Sequence, residues 1–370
     1  VAGYAPAVTG MSIREVAQRP GPFASLYIDA EHDTEDAERQ RALRWRALAE
    51  RLAAEGASEQ MITVLGDAVT GGPPEPGRAG RFLVADAESV LIDRGLPGRP
   101  QPEIVRVSPL PYLLPLIEHE AGEVPHAVAV VDRVGSDMYG VDEHGEVVEE
   151  SVEGTGHPIH KVRHGGGWSH RSMQRRVEET ARRNAGEVAE ELTRVAQRVH
   201  AQVVVLAGEA DTRSAVHGAL GSTGARVVEV ETGGRAEGSG ESELDDAVRE
   251  VVTEQADRQR AEITARFDKA HGRDEGLAVT GLSETVCALL AANAENVLIN
   301  AAALGDRTVR MDPGPLRDPA ALGAPGTATG TTCRADEALP VAALVRGGTV
   351  TPIGAETAPR EGVGALLRYA

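Results

Sequence analysis

The sequence predicts a multidomain α/β protein, and its composition, the alternation of its segments and one glycine stretch carry that prediction. The chain has 370 residues, 41% of them hydrophobic, which is enough for more than one buried core. Aromatic residues make up only 3%, so Ala, Val and Leu must do most of the packing. Short apolar runs bounded by Gly, Pro and Asp alternate along the chain with segments of helical periodicity. Finally, a single triple-glycine stretch, HGGGW at 164–168, leads into a long amphipathic helical pattern.

Taken in order, FASLYID at 23–29 reads as a strand. Residues 38–54 read as a helix with Leu43, Leu48 and Leu52 on one side, and RFLVADAESVLIDRGLP as two strands joined by a turn. A proline-rich stretch near Pro125 closes this first unit, 1–124. HAVAVVDR, SDMYGVDE and EVVEESV then form three short strands of an antiparallel meander. After the glycine stretch, Met173, Val177, Ala181, Val188, Leu192, Val195 and Val199 keep one helical face apolar from about 169 to 200. VVVLAG, a short helix near 213–220, the strand RVVEVE and a glycine-rich linker follow, giving a second unit over 125–255. The third unit, 256–370, is expected to take up a long charged helix over about 242–269. It adds a helix at 282–292, the strand NVLIN, a loop rich in Gly, Pro and Thr, and a terminal GGTVTPIG…GALLRYA.

The formal charge of −19 argues against nonspecific binding to nucleic acid or membrane. That charge is segregated, however. Between His160 and Arg183, Lys161, Arg163, Arg171, Arg175, Arg176, Arg182 and Arg183 face only Glu178 and Glu179, a local +5 that leaves −24 elsewhere. Cys287 and Cys333 lie in unrelated contexts, so neither a disulfide framework nor a thiolate metal site is expected. No secretory leader pattern and no uncharged apolar stretch near ~18 residues is visible, which predicts a soluble, cytoplasmic protein.

Four chemistries compete for Gly165, Gly166, Gly167 and Trp168. An esterase-type oxyanion turn requires a G-x-S-x-G nucleophile elbow, which the chain lacks. A phosphate cradle requires a P-loop or dinucleotide pattern, and neither fits. His157, His160, His164 and His170 offer imidazoles, but their spacing matches no compact zinc motif, and no Cys or acidic ligand sits among them. No metal and no cofactor is therefore expected. The fourth reading is an RNA probe, with an aromatic tip that stacks and arginines that meet phosphates. At ~100° per residue, Arg171, Arg175 and Arg182 fall on one helical strip, and Arg176 and Arg183 on another. The rival is a plain hairpin with Trp168 folded onto an apolar surface.

A strand meander, a glycine loop after H-x-V-R-H-G, and a helix running through RR…RRNAGEVAEE into VVVLAG resemble the central domain of archaeal and eukaryotic class-1 peptide chain release factors. EITARFDKAHGRDEGLAVTGLSETVCALLAANAENVLIN with the terminal ALLRY is similar to the release-factor and Pelota C-terminal domain. The resemblance spans roughly 126–370. It implies a three-domain release-factor-like α/β architecture: an α/β N-terminal domain, a central mixed β-sheet domain with a long helix after the glycine loop, and a C-terminal α/β/α domain.

Two departures shape the functional expectation. The family's loop carries Gly-Gly-Gln, whose glutamine positions the water that attacks peptidyl-tRNA; here Gly166 and Gly167 match the glycines and Trp168 takes the glutamine position. The family's codon-reading Asn-Ile-Lys-Ser is absent from the N-terminal unit. Retention of shape without either activity resembles the bacterial homologues that include the hibernation factor Balon. That likeness implies a ribosome-associated factor that occupies the A site without catalysing release, as a hibernation or stress factor, with elongation factor Tu as a companion. The implied contacts to ribosomal RNA are Lys161, Arg163, His164, Gly165, Gly166, Gly167, Trp168, His170, Arg171, Arg175, Arg176, Arg182 and Arg183, and no catalytic residue is implied. The alternative is a ribosome-rescue peptidyl-tRNA or tRNA hydrolase working through Gln174, or through His164 and His170 as general base and acid. A non-ribosomal interaction scaffold is the third possibility.

Overall fold

The computed structural model describes residues 9–29, 37–71, 80–96, 102–122, 124–132, 135–142, 147–153, 168–232, 241–272, 276–311 and 331–370. In the helix that opens at Trp168 it describes side chains from 182 onward. The chain resolves into two compact units, one holding 122–258 and the other combining 6–121 with 259–370.

In the N-terminal segment, Phe23–Asp29 (β2) is flanked by Gly80–Ala85 (β3) and Ile104–Ser108 (β5). Val90–Leu96 (β4) and the short Thr9–Gly10 (β1) complete an antiparallel sheet of order β1-β4-β3-β2-β5. One face packs on Ala37–Ala54 (α2) and Glu59–Gly71 (α3) through Leu26, Leu48, Leu52, Met61 and Leu65. Leu43, predicted on the apolar side of α2, is instead 57% exposed. It stands five residues from Leu48, about 140° around the helix, so both cannot face the sheet. The other face meets Ile13–Ala17 (α1) and Leu114–Glu120 (α4). Ser12 and Glu15 form a capping box at the start of α1.

The central unit contains the predicted meander as His126–Val131 (β6), Gly135–Val141 (β7) and Val147–Glu153 (β8). Trp168–Arg198 (α5) returns the chain to Val203–Gly208 (β9), parallel to β6, and Ala210–Ala219 (α6) leads to Arg226–Glu229 (β10), parallel to β9. Strand order is β10-β9-β6-β7-β8. Helices α5 and α6 cover one face. The other is covered by the first half of Glu241–Gly272 (α7), through Leu244, Val248, Val251, Val252 and Ala256. The helix, expected over about 242–269, spans the expected boundary at 255/256: its apolar positions up to Ala256 pack on β6 and β9. Further along α7, Phe267 packs instead with Leu298 and Leu366.

The C-terminal segment holds Ala278–Thr280 (β11), Leu282–Leu290 (α8), Ala294–Ile299 (β12), Ala301–Leu304 (α9), Thr308–Met311 (β13), Thr331–Arg334 (β14), Ala335–Val345 (α10), Thr349–Pro352 (β15) and Val363–Leu367 (β16). Its main sheet runs β11-β16-β12-β15, with β12 and β15 parallel and the other pairs antiparallel, and β13 and β14 form a separate hairpin. Every residue of α10 from Ala335 to Leu344 is buried. This helix lies in one apolar cluster with Val16, Phe23, Phe82, Leu113 and Leu116 of the N-terminal segment and with Val297, Ile299 and Val363 of the C-terminal sheet. Arg14 closes its far end, donating to the carbonyls of Leu344 at 2.8 Å and Gly348 at 3.2 Å.

Candidate functional site

The predicted site is carried by α5, which runs for 31 residues, about 45 Å at 1.5 Å per residue. Its described anchoring face is Ala185, Val188, Ala189, Leu192, Val195 and Ala196, buried against Ala127, Ala129, Val131, Met138, Val204 and Leu206 of the sheet. The spacing of three and four residues is what a helix needs to lay one stripe on a sheet. Gly140 sets how closely the helix approaches, because a Cβ there would stand 2.8 Å from methyl groups of both Val195 and Val199. Asn184 is also buried, and its Oδ1 finds no hydrogen-bond donor among the described residues.

Helix α5 begins at Trp168, the residue expected at the glutamine position. His170, Arg171, Arg175 and Arg176 follow in the same helix, but their side chains, like that of Trp168, lie outside the description. Lys161, Arg163, His164, Gly165, Gly166 and Gly167 lie outside the described residues altogether, as do His157 and His160. Arg182 and Arg183 are described, and both are exposed. Arg183 sits 3.5 Å from Glu187 one turn on, a solvent-screened pair that leaves its guanidinium accessible. Arg182 makes no ion pair among the described residues.

Sequence reasoning missed a second polar cluster in this unit. Buried Arg213 of α6 donates to Glu229 Oε2 at 2.9 Å and to the carbonyls of Gly208 at 3.2 Å and Val230 at 2.8 Å. His217, one turn on, meets Glu229 Oε1 through Nδ1 at 2.6 Å. Hydrogen bonds from His217 and then Arg213 hold the Glu229 carboxyl below the usual glutamate range. The cluster ties α6 to the ends of β9 and β10. Its only sequence signal is an arginine and a histidine four residues apart on a short helix. Among the described residues no group of three or more His, Cys, Asp or Glu side chains converges as a metal site would require, and no helix is long and apolar enough to cross a membrane.

A three-strand meander that passes into a 31-residue helix and returns to the strand parallel to its first defines a release-factor-like central domain. A family model for the bacterial archaeo-eukaryotic release factor family 2 matches residues 125–273. Two Mycobacterium tuberculosis proteins, uncharacterized protein MT2704 of strain CDC 1551 and uncharacterized protein Rv2629 of strain H37Rv, are each 33% identical over 362 residues. Each match covers 97% of this chain and 96% of the relative. The chain belongs to one family with these two mycobacterial proteins, and its residues 125–273 match the bacterial archaeo-eukaryotic release factor family 2. Among solved structures, archaeal translation termination factor aRF1 is similar at 15% identity, with 96% of this chain and 95% of that one covered and a TM-score of 0.23. Ribosome-bound archaeal Pelota is similar at 18% identity, with 79% and 72% covered and a TM-score of 0.40. At these scores neither structure bears on the site.

Proposed function

We propose that this chain is a ribosome-associated translation factor that occupies the A site without catalysing peptide release and serves idle or stressed ribosomes as a hibernation factor. One feature supports the reading: Trp168, the first residue of α5, stands where the resemblance to archaeal and eukaryotic release factors puts the catalytic glutamine. An indole offers one N–H donor and no carbonyl, so it cannot orient a water for attack on an ester as an amide can. It can stack on a base or fill the space a substrate would take. Lys161, Arg163, Arg171, Arg175, Arg176, Arg182 and Arg183 supply the charge to meet ribosomal RNA phosphates, with His164 and His170 beside them. The exposed guanidiniums of Arg182 and Arg183 support that role. Action on ribosomes makes the protein cytoplasmic, with elongation factor Tu as a companion in delivery.

The test is sedimentation with 70S ribosomes together with a release assay on ribosomes carrying peptidyl-tRNA. The protein is expected to pellet with ribosomes and to leave release at the factor-free rate, with or without a stop codon in the A site. Affinities for ribosomes differing only in that codon should agree within tenfold, about 1.4 kcal/mol. Stop-codon-dependent release sinks the reading, hydrolysis of peptidyl-tRNA in any context favours a rescue hydrolase, and failure to pellet leaves an interaction scaffold.

A further inference from the structure

The N- and C-terminal segments meet at an unusual charged group inside their common core. Asp336 and Glu337, adjacent in the first turn of α10, are only 4% and 3% exposed. Both reach across to the N-terminal segment, where one nitrogen of Arg106 on β5, Nη1, lies 3.1 Å from Asp336 Oδ2 and 3.1 Å from Glu337 Oε1. Ser108, at the end of the same strand, donates to Glu337 Oε2 at 2.6 Å. The Arg106 guanidinium lies 3.6 Å over the ring of Tyr112. On the C-terminal side Arg334 donates to Asp336 at 2.9 Å, but it is shared with Asp306 at 2.7 Å. Among the described residues, Tyr112, Glu118 of α4 and Cys333 of β14 are the other titratable groups coupled to the cluster.

Charge does not balance here. Asp336 and Glu337 share one nitrogen of Arg106, and Arg334 grips Asp336 through Nε on Oδ1 at 3.0 Å and Nη2 on Oδ2 at 2.9 Å while its Nη1 meets the surface Asp306. Glu337 is left with a share of one Arg106 nitrogen and the neutral Ser108 hydroxyl, and with Glu118 close by, the buried carboxylates outnumber the two guanidiniums, an excess that a proton would cancel. We propose that Arg106, Asp336 and Glu337 form a proton-operated fastener between the N- and C-terminal segments, tighter in mild acid than at neutral pH.

The direction follows from the surroundings of Glu337. Burial pushes its carboxyl up and neighbouring Asp336 pushes it further, against the hydrogen bond from Ser108 and the attraction of Arg106. A carboxyl raised by folding contributes stability that is present in full below its unfolded pKa and is lost as pH rises through the folded value. Other groups pull the opposite way. Asp86 is raised by burial but lowered more by the amides of Glu88 and Ser89 and by Arg19, and Glu229 is lowered too, so both lose stability as pH falls. A whole-protein melting curve therefore mixes signs, and the measurement must be local.

Hydrogen exchange read by mass spectrometry on the full chain, at about pH 5.5 and about pH 8 and corrected for intrinsic rates, supplies that locality. Wild type should show several-fold greater protection of the β5 and α10 amides in acid. Glu337→Gln, which keeps an acceptor for Ser108 and removes the charge, should be protected at both pH values. Ser108→Ala removes a bond that favours the ionised form, so the pH midpoint for protection should move upward. The proposal is overturned if Glu337→Gln loses protection at both pH values, if wild type loosens in acid at β5 and α10, or if both proteins are indifferent to pH there. Should Glu337→Gln fail to fold, Ser108→Ala decides: an upward midpoint supports the fastener, and an unmoved or lowered one removes it.

Discussion

Trp168 and the arginines after it belong to one helix, but the physics of their contacts differs, and that difference makes the interface testable residue by residue. A guanidinium on a phosphate displaces counterions, so affinity falls steeply with salt, and each lost contact flattens the double-logarithmic slope by about 0.7 to 0.9. An aromatic on a base has no such signature, and its loss costs roughly 1 to 3 kcal/mol at any salt. Arg171→Ala, Arg175→Ala and Arg176→Ala should therefore weaken ribosome binding mainly at low salt and reduce the slope. Trp168→Ala should weaken binding by a near-constant factor and leave the slope unchanged. If Trp168→Ala instead lowers the melting temperature while the arginine variants bind as wild type, the segment is a packing feature and its role as an interface is lost. These residues stood out in the sequence because they are neighbours: a tryptophan after three glycines, and seven cations within 24 residues of an acidic chain, need no fold to be seen. Arg213 with Glu229, and Arg106 with Asp336 and Glu337, escaped notice because their partners are 16, 230 and 231 residues apart. Read linearly, each looks like an ordinary surface charge.

Helix ends explain where the sequence reading of the elements went astray. Four helices stop in the same way, with a residue at positive φ whose N–H turns back to the carbonyl three residues earlier while the next N–H bonds five residues back. The residue is Gly56 after α2, His200 after α5, Ala292 after α8 and Gly347 after α10. Where it is glycine the stop is visible in the sequence. At His200 and Ala292 it is not, and both helices were predicted to run two residues too far, to 200 and 292 rather than to Arg198 and Leu290. The four motifs make a matched experiment. Ala292 holds φ at 53°, which costs a residue with a Cβ roughly 1 to 2 kcal/mol, whereas a glycine's freer unfolded chain returns about 0.4 to 1 of that. Ala292→Gly should therefore raise stability by about 0.5 to 1 kcal/mol. At Gly347, φ is 71° and a Cβ would meet nothing within 4 Å, so Gly347→Ala isolates the backbone cost and should lower stability by about 1 kcal/mol. Chemical denaturation of the three proteins checks both signs, and a loss on Ala292→Gly would mean that the backbone there is not strained.

At the scale of the molecule, the sequence made the individual strands legible but not the way distant segments share a core. Strands such as β2, β6 and β9 fell where predicted because each is a short, nearly continuous apolar run that is buried along its length. Helix α10 went unread, for three physical reasons: ADEALPVAALV has no polar face to give it a period, Pro340 sits inside it, and its two acidic residues look solvated. Each oddity follows from burial on all sides, between a sheet formed from residues 9–108 and one formed from residues 278–367. A helix buried this way serves both segments, so neither should hold its fold independently of the other. Leu339, fully buried in the middle of α10, is the residue on which to test this. Leu339→Ala leaves a cavity expected to cost about 2 to 5 kcal/mol. If the two segments are one cooperative unit, hydrogen exchange should speed up together in β2 and β3 of the N-terminal sheet and in β12 and β16 of the C-terminal sheet. Amides of β6 and β9 should be unchanged, since the central unit rests on cores of its own around Val128, Leu192 and Val205. Faster exchange confined to β12 and β16 would show that the N-terminal segment stands independently, and the cluster at Arg106, Asp336 and Glu337 would then join two separately stable bodies.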